Sequence, residues 1–195
     1  MMMMNKRVIL ITPIIFIFIL GCTKNLKESE RSWNPYVMNE VIVFESSEKQ
    51  LDTIVIDVII DNAVSDGPTP KLYYDTYLIV RRKLKLKENN SSSTDILTIS
   101  SSTPNKLAGI TFSQRFDNAI FAGWGYKLED LEKYPTISIT TKAGTFNDVI
   151  KLESVMYRPK RKNSVKFMYW SKKDGYIKFE KADGFTWELI KKYVP

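Results

Sequence analysis

Three aspartates in one predicted β-strand are the carboxylates best placed for chemistry in this chain. Asp52, Asp57 and Asp61 stand within the segment 51–61 and could form an acid–base pair or supply oxygen ligands for calcium. Asp57 and Asp61 share a strand face, but positions four apart on a strand lie about 13 Å apart. A glycosidase pair needs about 5–9.5 Å. We therefore interpret these aspartates as solvent-facing residues.

Ser46 and Lys49 match the serine-lysine pattern of penicillin-binding enzymes, but the Lys-Thr-Gly motif of those enzymes is missing from the sequence. The chain has no histidine and one cysteine. It therefore lacks the residues for a Ser-His-Asp triad, an imidazole metal ligand or a disulfide. No Gly-rich phosphate loop occurs either. These absences predict a protein that is not an enzyme and needs no cofactor or metal.

The aromatic residues are the strongest candidates for ligand binding. Flat rings on a sheet can stack on sugars or line an apolar cavity, although they also serve as core residues and cross-strand pairs. The glycines in the Gly-Trp-Gly-Tyr segment 123–126 predict an exposed, mobile loop. The candidate ligand-binding residues are Trp124, Tyr126, Tyr73 and Tyr77.

Two clusters of basic residues could lie against anionic lipid headgroups. The first comprises Arg81, Arg82, Lys83, Lys85 and Lys87, and the second comprises Arg158, Lys160, Arg161 and Lys162. The alternative, which we favour, is a solvated strand face whose lysines discourage edge pairing, together with a charged loop.

The first residues have the pattern of a secretory signal. Lys6 and Arg7 precede the mainly apolar stretch 8–20, and Gly21 and Cys22 follow it. As a helix this stretch would span about 20 Å, which is short of the roughly 30 Å core of a bilayer. A cleaved signal peptide at 1–21 is therefore favoured over a permanent transmembrane helix.

The sequence Ile19-Leu20-Gly21-Cys22 resembles the lipobox of bacterial lipoproteins. The resemblance implies cleavage between Gly21 and Cys22 and attachment of diacylglycerol to Cys22. Two or more acyl chains anchor a protein stably, because each buried CH₂ contributes about 0.8 kcal/mol. Residues 22–37 are then expected to form the lipidated cysteine and a flexible tether, since they are polar and charged. The outer membrane is favoured over the inner one, because no aspartate follows Cys22.

Residues 38–195 show mostly period-two alternation, which is typical of β-strands. The predicted strands are 41–45, 51–61, 72–87, 96–100, 107–112, 136–141, 145–152, 165–170, 176–181 and 185–190. Asp174-Gly175 and Asp183-Gly184 predict tight turns, and 128–134 predicts one short helix that ends at Pro135. We expect a mainly β fold: one antiparallel domain, either a sandwich or an open half-barrel sheet.

The C-terminal quarter is similar to a family of bacterial envelope lipoproteins whose role is largely unknown. The similarity lies in three segments: Gly144-Thr145-Phe146-Asn147-Asp148-Val149-Ile150-Lys151-Leu152, the hairpin from Tyr169-Trp170 to Lys178-Phe179, and Asp183-Gly184 with Trp187-Glu188-Leu189. It implies a curved antiparallel sheet that ends in this hairpin. Lys172, Lys173 and Asp174 stand where the family often has small residues.

Together these features predict a membrane-anchored lipoprotein that acts as a non-enzymatic binding or structural module at the cell envelope. The expected partners are the bilayer, through acylated Cys22, and an apolar, lipid-like ligand or an envelope protein. The alternatives are a glycan-binding lipoprotein and a carboxylate-based hydrolase. Removing Lys6 and Arg7 with the signal lowers the formal charge from +7 to +5. A basic excess would suit nucleic acid, but export argues against that partner.

Overall fold

The computed structural model describes residues 22–23, 25–64, 73–74, 76–84, 92–116, 119–160 and 164–195. The strand content is 62%, which confirms a mainly β fold. The strands are β1 (Cys22–Thr23), β2 (Val41–Ser46), β3 (Leu51–Val64), β4 (Tyr73–Tyr74), β5 (Thr76–Leu84), β6 (Ser92–Ser100), β7 (Gly109–Phe116), β8 (Ala119–Lys127), β9 (Thr136–Thr141), β10 (Gly144–Glu153), β11 (Val165–Ser171), β12 (Gly175–Lys181) and β13 (Thr186–Tyr193). The helices are α1 (Glu28–Arg31) and α2 (Leu128–Leu131).

Eleven of the described strands form one antiparallel sheet. Their order is β8-β7-β6-β5-β3-β2-β13-β12-β11-β10-β9, so β2 and β13 meet in the middle of the sheet. Two meanders, one from each half of the chain, are joined by this pairing of strands that are distant in sequence. The short strands β1 and β4 form a separate parallel pair.

The sheet curves into an open half-barrel whose two halves face each other across an aromatic core. The ring of Phe112, on β7, lies 4.8 Å from that of Trp170, on β11, and 6.3 Å from that of Tyr176, on β12. Phe44 and Phe179 extend the cluster toward β2, with ring centroids 5.8 Å apart. All five side chains are buried. Of the two predicted architectures, the half-barrel is therefore confirmed and the sandwich is not formed.

The segment before β2 is part of the domain, which corrects the prediction of a flexible tether over 22–37. Leu26, Trp33 and Tyr36 are each at most 3% exposed. The Tyr36 hydroxyl accepts a hydrogen bond of 3.0 Å from the backbone N–H of Tyr176. These three apolar residues are spread among charged ones, so composition alone suggested a solvated tether. Their burial fixes the chain against the sheet from about residue 25 onward.

The turns of the C-terminal meander lie where the sequence predicts them. Gly175 and Gly184 adopt φ values of 86° and 85° in the turns after β11 and β12. L-residues with a side chain rarely adopt this left-handed conformation, and glycine does so readily. The predicted Asp-Gly turns are confirmed. The predicted helix at 128–134 is also confirmed as α2, which ends at Leu131.

The segment 123–126 is not a loop, as its glycines suggested, but part of the edge strand β8. Tyr126 pairs with Ile110 and Gly123 pairs with Phe112, so two residues of β8 stand opposite one of β7. Gly125 occupies this bulge with a φ of 68°. A bulge of this kind needs a residue that tolerates positive φ, which explains a glycine inside a strand.

A mostly buried lysine joins the last strand to the segment before β2. Lys192, on β13, lies 3.3 Å from the Glu40 carboxylate. Its ammonium also donates to the carbonyl oxygens of Pro35, at 3.1 Å, and Asp174, at 3.2 Å. Three donated contacts satisfy the charge in a mostly buried position, so Lys192 holds the N-terminal segment on the β11–β12 turn.

Candidate functional site

A groove of about 530 Å³ lies on the outer face of β5, β6, β7 and the end of β8. Its floor is a row of cross-strand neighbours: Tyr77 pairs with Ser100, Ser100 with Gly109, and Gly109 with Lys127. Cross-strand neighbours place their side chains on the same face of a sheet. The register therefore brings residues from four strands into one line that is about 14 Å long.

One wall of the groove is the loop 101–108 between β6 and β7. Thr103 and Lys106 pair across a tight turn, with N–H to oxygen distances of 2.8 and 3.2 Å. At its base, the N–H of Ser101 donates to the Thr76 carbonyl at 2.8 Å. The Lys106 ammonium lies 5.9 Å from the centre of the Tyr77 ring. The loop thus holds a cation close to Tyr77, the one aromatic side chain among the described residues that line the groove.

The groove combines an aromatic ring, hydroxyl groups and positive charge. Beyond the floor row, its polar lining includes the hydroxyls of Thr98 and Thr111 and the amide of Asn105. The described residues that line it include two lysines, Lys106 and Lys127, and no acidic residue. Such a surface suits a hydroxyl-rich ligand with a negative charge, because a ring can stack while lysines neutralise the anion.

The predicted lipid-attachment residue lies close in the chain topology to this groove. The backbone of Cys22 pairs with Tyr73, and that of Thr23 pairs with Tyr74. Tyr73 and Tyr74 are separated from β5 by one residue, and Tyr77 is the second residue of that strand. A lipid on Cys22 would therefore be attached beside the end of β5 that carries the groove.

The four sequence-predicted ligand-binding residues do not form one site. Tyr77 lines the groove. Tyr126 faces the other way: its ring lies 6.0 Å from Phe112 of the core, and its hydroxyl donates to the Glu153 carbonyl at 3.1 Å. The structure places the backbones of Trp124, in β8, and of Tyr73, in β4. Their side chains lie outside what the structure describes.

The groove residues that sequence reasoning missed are Lys106 and Lys127. Each stands alone in its stretch of sequence and belongs to neither basic cluster. Cross-strand register brings Lys127 onto the floor, and the turn at 103–106 brings Lys106 onto the wall. The hydroxyl-rich alternation at Thr98 and Ser100 was the available signal, since it marked a strand face turned away from the core.

The three aspartates considered above as a carboxylate site are separated. Asp52 lies 3.8 Å from the guanidinium of Arg82, and Asp61 lies 3.1 Å from that of Arg31. Asp57 has one buried carboxylate oxygen that receives no hydrogen bond from the described residues. Among the residues that the structure describes, no three Cys, Asp or Glu side chains lie together in a group that could hold a metal ion.

Ser46 and Lys49 have separate structural roles and do not form a serine-lysine pair. The Ser46 hydroxyl is buried and accepts hydrogen bonds from the N–H groups of Glu48, at 3.2 Å, and Gln50, at 3.0 Å. It thus stabilises the turn after β2. The Lys49 ammonium lies 3.4 Å from Glu45. A hydrogen bond from Lys142 to Glu45 lowers the pKa of that carboxyl.

The first basic cluster does not form a uniform positive face. Arg81 forms an ion pair of 2.6 Å with Asp95. Arg82 continues the inward alternation of buried Leu78 and Val80 and stands opposite buried Ile56. Burial lowers the pKa of Arg82, and the charge of Asp52 opposes this effect. Lys83 is exposed, and Lys85 and Lys87 lie outside the described residues.

Two tyrosines are buried inside the half-barrel and have raised pKa values. Burial raises the pKa of Tyr36 well above its ordinary value, and the neighbouring Tyr176 raises it further. Burial likewise raises the pKa of Tyr176, whose hydroxyl donates to the carbonyl of Ile96. Both hydroxyls serve as hydrogen-bonding groups of the core and neither is directed at solvent.

No family model, curated protein or solved structure matches this chain. Among the described residues, no helix is long and apolar enough to cross a membrane.

Proposed function

We propose that this protein is an envelope lipoprotein that is anchored by lipid on Cys22 and acts as a non-enzymatic binding module. The lipobox-like sequence before Cys22 supports the anchor. The buried residues from Leu26 onward support a domain that begins directly behind it. Since Cys22 pairs with Tyr73 beside β5, the anchor would hold the groove close to the bilayer.

The anchor is tested by replacing the cysteine. In cells that express the full chain and are labelled with radioactive palmitate, Cys22→Ser should lose the label and leave the membrane fraction, because no other cysteine can take a thioether lipid. Thr23→Ser, at the next position, is the matched control and should remain labelled. Label that persists in the Cys22→Ser variant would contradict the lipoprotein assignment.

Ligand binding is assigned to the surface, because aromatic side chains fill the concave side. Phe112, Trp170 and Tyr176 contact one another where β7 crosses β11 and β12. A lipid-like ligand inside the half-barrel would have to displace these buried rings, and each large apolar side chain contributes about 1.5–3 kcal/mol by its burial. An envelope protein that docks on the outer face remains compatible with this arrangement.

A second candidate function is the binding of an acidic carbohydrate, and the lining of the groove favours it. Tyr77 offers a ring for stacking, Thr98, Ser100 and Thr111 offer hydroxyls, and two lysines offer positive charge. Asn105 adds an amide that can donate and accept hydrogen bonds. This combination recognises sugar hydroxyls and an anionic substituent together.

The carbohydrate hypothesis predicts selective loss of binding in groove variants. On an array of neutral and acidic glycans, Tyr77→Ala should weaken binding at least about tenfold, which corresponds to about 1.4 kcal/mol. Lys127→Gln should reduce binding of the acidic glycans only. Tyr134→Ala, which removes an exposed tyrosine that does not line the groove, is the control and should bind as the parent does. A blank array, or a Tyr77→Ala variant that binds normally, would remove this candidate.

A further inference from the structure

The loop between β10 and β11 presents two apolar side chains to solvent. Val155 is 48% exposed and Met156 is 42% exposed. Exposed apolar residues are common singly, but an adjacent pair at the tip of a loop is a candidate contact surface. We call residues 154–160 the 155 loop.

Two buried serines hold the 155 loop in this shape. The Ser154 hydroxyl accepts from the N–H of Met156 at 3.3 Å, and the Ser164 hydroxyl accepts from the N–H of Arg158 at 2.8 Å. The Ser154 carbonyl also accepts from the N–H of Tyr157 at 3.0 Å. The apolar tip is therefore fixed by hydrogen bonds on both sides, which lowers the entropy that a binding partner must offset.

Basic residues follow the apolar tip in the sequence, and those that the structure describes are exposed or lie beside Tyr157. The sequence 155–162 contains four basic residues and no acidic one. Arg158 and Lys160 are exposed, and within the described residues neither forms an ion pair. Lys166, at the start of β11, lies 5.7 Å from the centre of the Tyr157 ring. Glu153, just before the loop, is the nearest acid in the sequence.

We infer that the 155 loop is a contact site for the surface of an anionic lipid bilayer. Val155 and Met156 would enter the boundary between headgroups and acyl chains, where small apolar surfaces are buried. Tyr157 has the amphipathic ring that is enriched at this depth. Arg158 and Lys160 would stay among the headgroups and attract their negative charge.

The position of the loop fits a domain that is already tethered. Lys27 and Leu128 line the same depression, which joins the N-terminal segment to α2. Tyr126, two residues before Leu128, donates its hydroxyl hydrogen to Glu153 next to the loop. The N-terminal segment also packs on the turn after β11, where Lys172 lies over the Trp33 ring, at the other end of that strand from the 155 loop. A bilayer contact at the loop would therefore be separate from the anchor and would fix how the domain is oriented on the bilayer.

The chain contains a matched control for the apolar pair. Val37 and Met38 are the same two residue types in the same order, and they are 51% and 46% exposed. They are followed by Asn39 and Glu40 and not by basic residues. A contact that depended on exposed apolar area alone would use both pairs, whereas an anionic bilayer would select the pair beside the positive charges.

The test is co-sedimentation with vesicles of the chain 22–195 carrying Cys22→Ser. Its core runs from Leu26 to Leu189, and circular dichroism verifies the fold of each variant. Because this chain has no lipid, the result does not depend on whether Cys22 is acylated in cells. Vesicles of equal parts phosphatidylglycerol and phosphatidylethanolamine should bind the protein at about 0.15 M salt and release it at about 0.5 M salt, since screening weakens headgroup attraction. Phosphatidylcholine vesicles should bind it weakly.

The variants separate the two parts of the contact. Val155→Ser with Met156→Ser should lower the partition coefficient by about tenfold or more. Arg158→Gln with Lys160→Gln should lower it by about fivefold for each charge removed. Val37→Ser with Met38→Ser should leave it unchanged.

Three results would overturn the inference: absence of binding to anionic vesicles, equal effects of the two serine pairs, or binding to a soluble acidic polysaccharide with none to vesicles. The last outcome would make the 155 loop a polyanion site and not a bilayer contact.

Discussion

Gly175→Ala should lower the free energy of unfolding by about 2–5 kcal/mol, for two reasons. The alanine would be strained by the left-handed backbone conformation, and its methyl group would clash with Tyr36. Gly175 has a φ of 86° in the turn between β11 and β12. A methyl group there would lie 2.4 Å from the Tyr36 hydroxyl and 2.7 Å from the ring carbon that carries it. The ring cannot withdraw freely, because Tyr36 is buried against Trp170.

Gly184→Ala is the matched control for this clash. Gly184 follows an aspartate in the next turn and has a φ of 85°, but nothing lies within 4 Å of an added methyl group. It should lose only the strain, which is about 1–2 kcal/mol. Chemical denaturation followed by tryptophan fluorescence measures both values. Equal losses in the two variants would show that the contact with Tyr36 is unimportant.

A double-mutant cycle identifies the partner in the clash. In a Tyr36→Leu background, the cost of Gly175→Ala should fall to that of Gly184→Ala, because the obstructing ring is gone. Residues in contact commonly show coupling of about 0.5–3 kcal/mol. A cost that stays unchanged in the Tyr36→Leu background would assign the destabilisation to backbone strain alone.

The strands of the half-barrel could be predicted well, because alternation and turn residues act locally. The segment 136–141 forms β9 with the predicted bounds. The edge strand β8 could not be recognised, since Gly123 and Gly125 are typical of loops. What makes Gly125 suitable is a bulge against β7, and the register that creates it is set by contacts between strands.

The N-terminal segment was misjudged for a related reason. Glu30 looked like one of several solvated charges, yet it is 5% exposed. Its carboxylate accepts from the N–H of Lys27 at 2.8 Å and from that of Ser102 at 3.1 Å. The second partner is 72 residues away in sequence. A buried carboxylate with two backbone donors cannot be distinguished by composition from one in a tether.

Only part of the candidate groove could be predicted from the sequence. Tyr77 could be chosen because tyrosines cluster near it. Ser100, Gly109 and Lys127 join it through three successive strand pairings. Registers of this kind depend on bulges elsewhere in the sheet, such as the shift between Val80 and Arg81 in the pairing of β5 with β6.

Trp170→Ala should cost about 3–5 kcal/mol, because it opens a cavity where the two halves of the half-barrel meet. Trp170 is fully buried, and its ring lies 4.8 Å from Phe112 and 5.0 Å from Tyr176. The free energy of unfolding of a single domain is about 5–15 kcal/mol, so this loss would be a large fraction of the total stability. Equilibrium unfolding in urea, followed by circular dichroism, measures the change.

Trp170→Phe tests what the indole contributes beyond its volume. The Trp170 Nε1 is buried and donates no hydrogen bond to any described residue. An unpaired buried N–H costs free energy, so removing it offsets part of the packing lost with the smaller ring. We expect Trp170→Phe to lose clearly less than Trp170→Ala, because the phenyl ring fills most of the cavity that a methyl group would leave. A loss as large as that of Trp170→Ala would mean that the indole N–H has a partner, and that the junction between β7 and β11 depends on a polar contact as well as on packing.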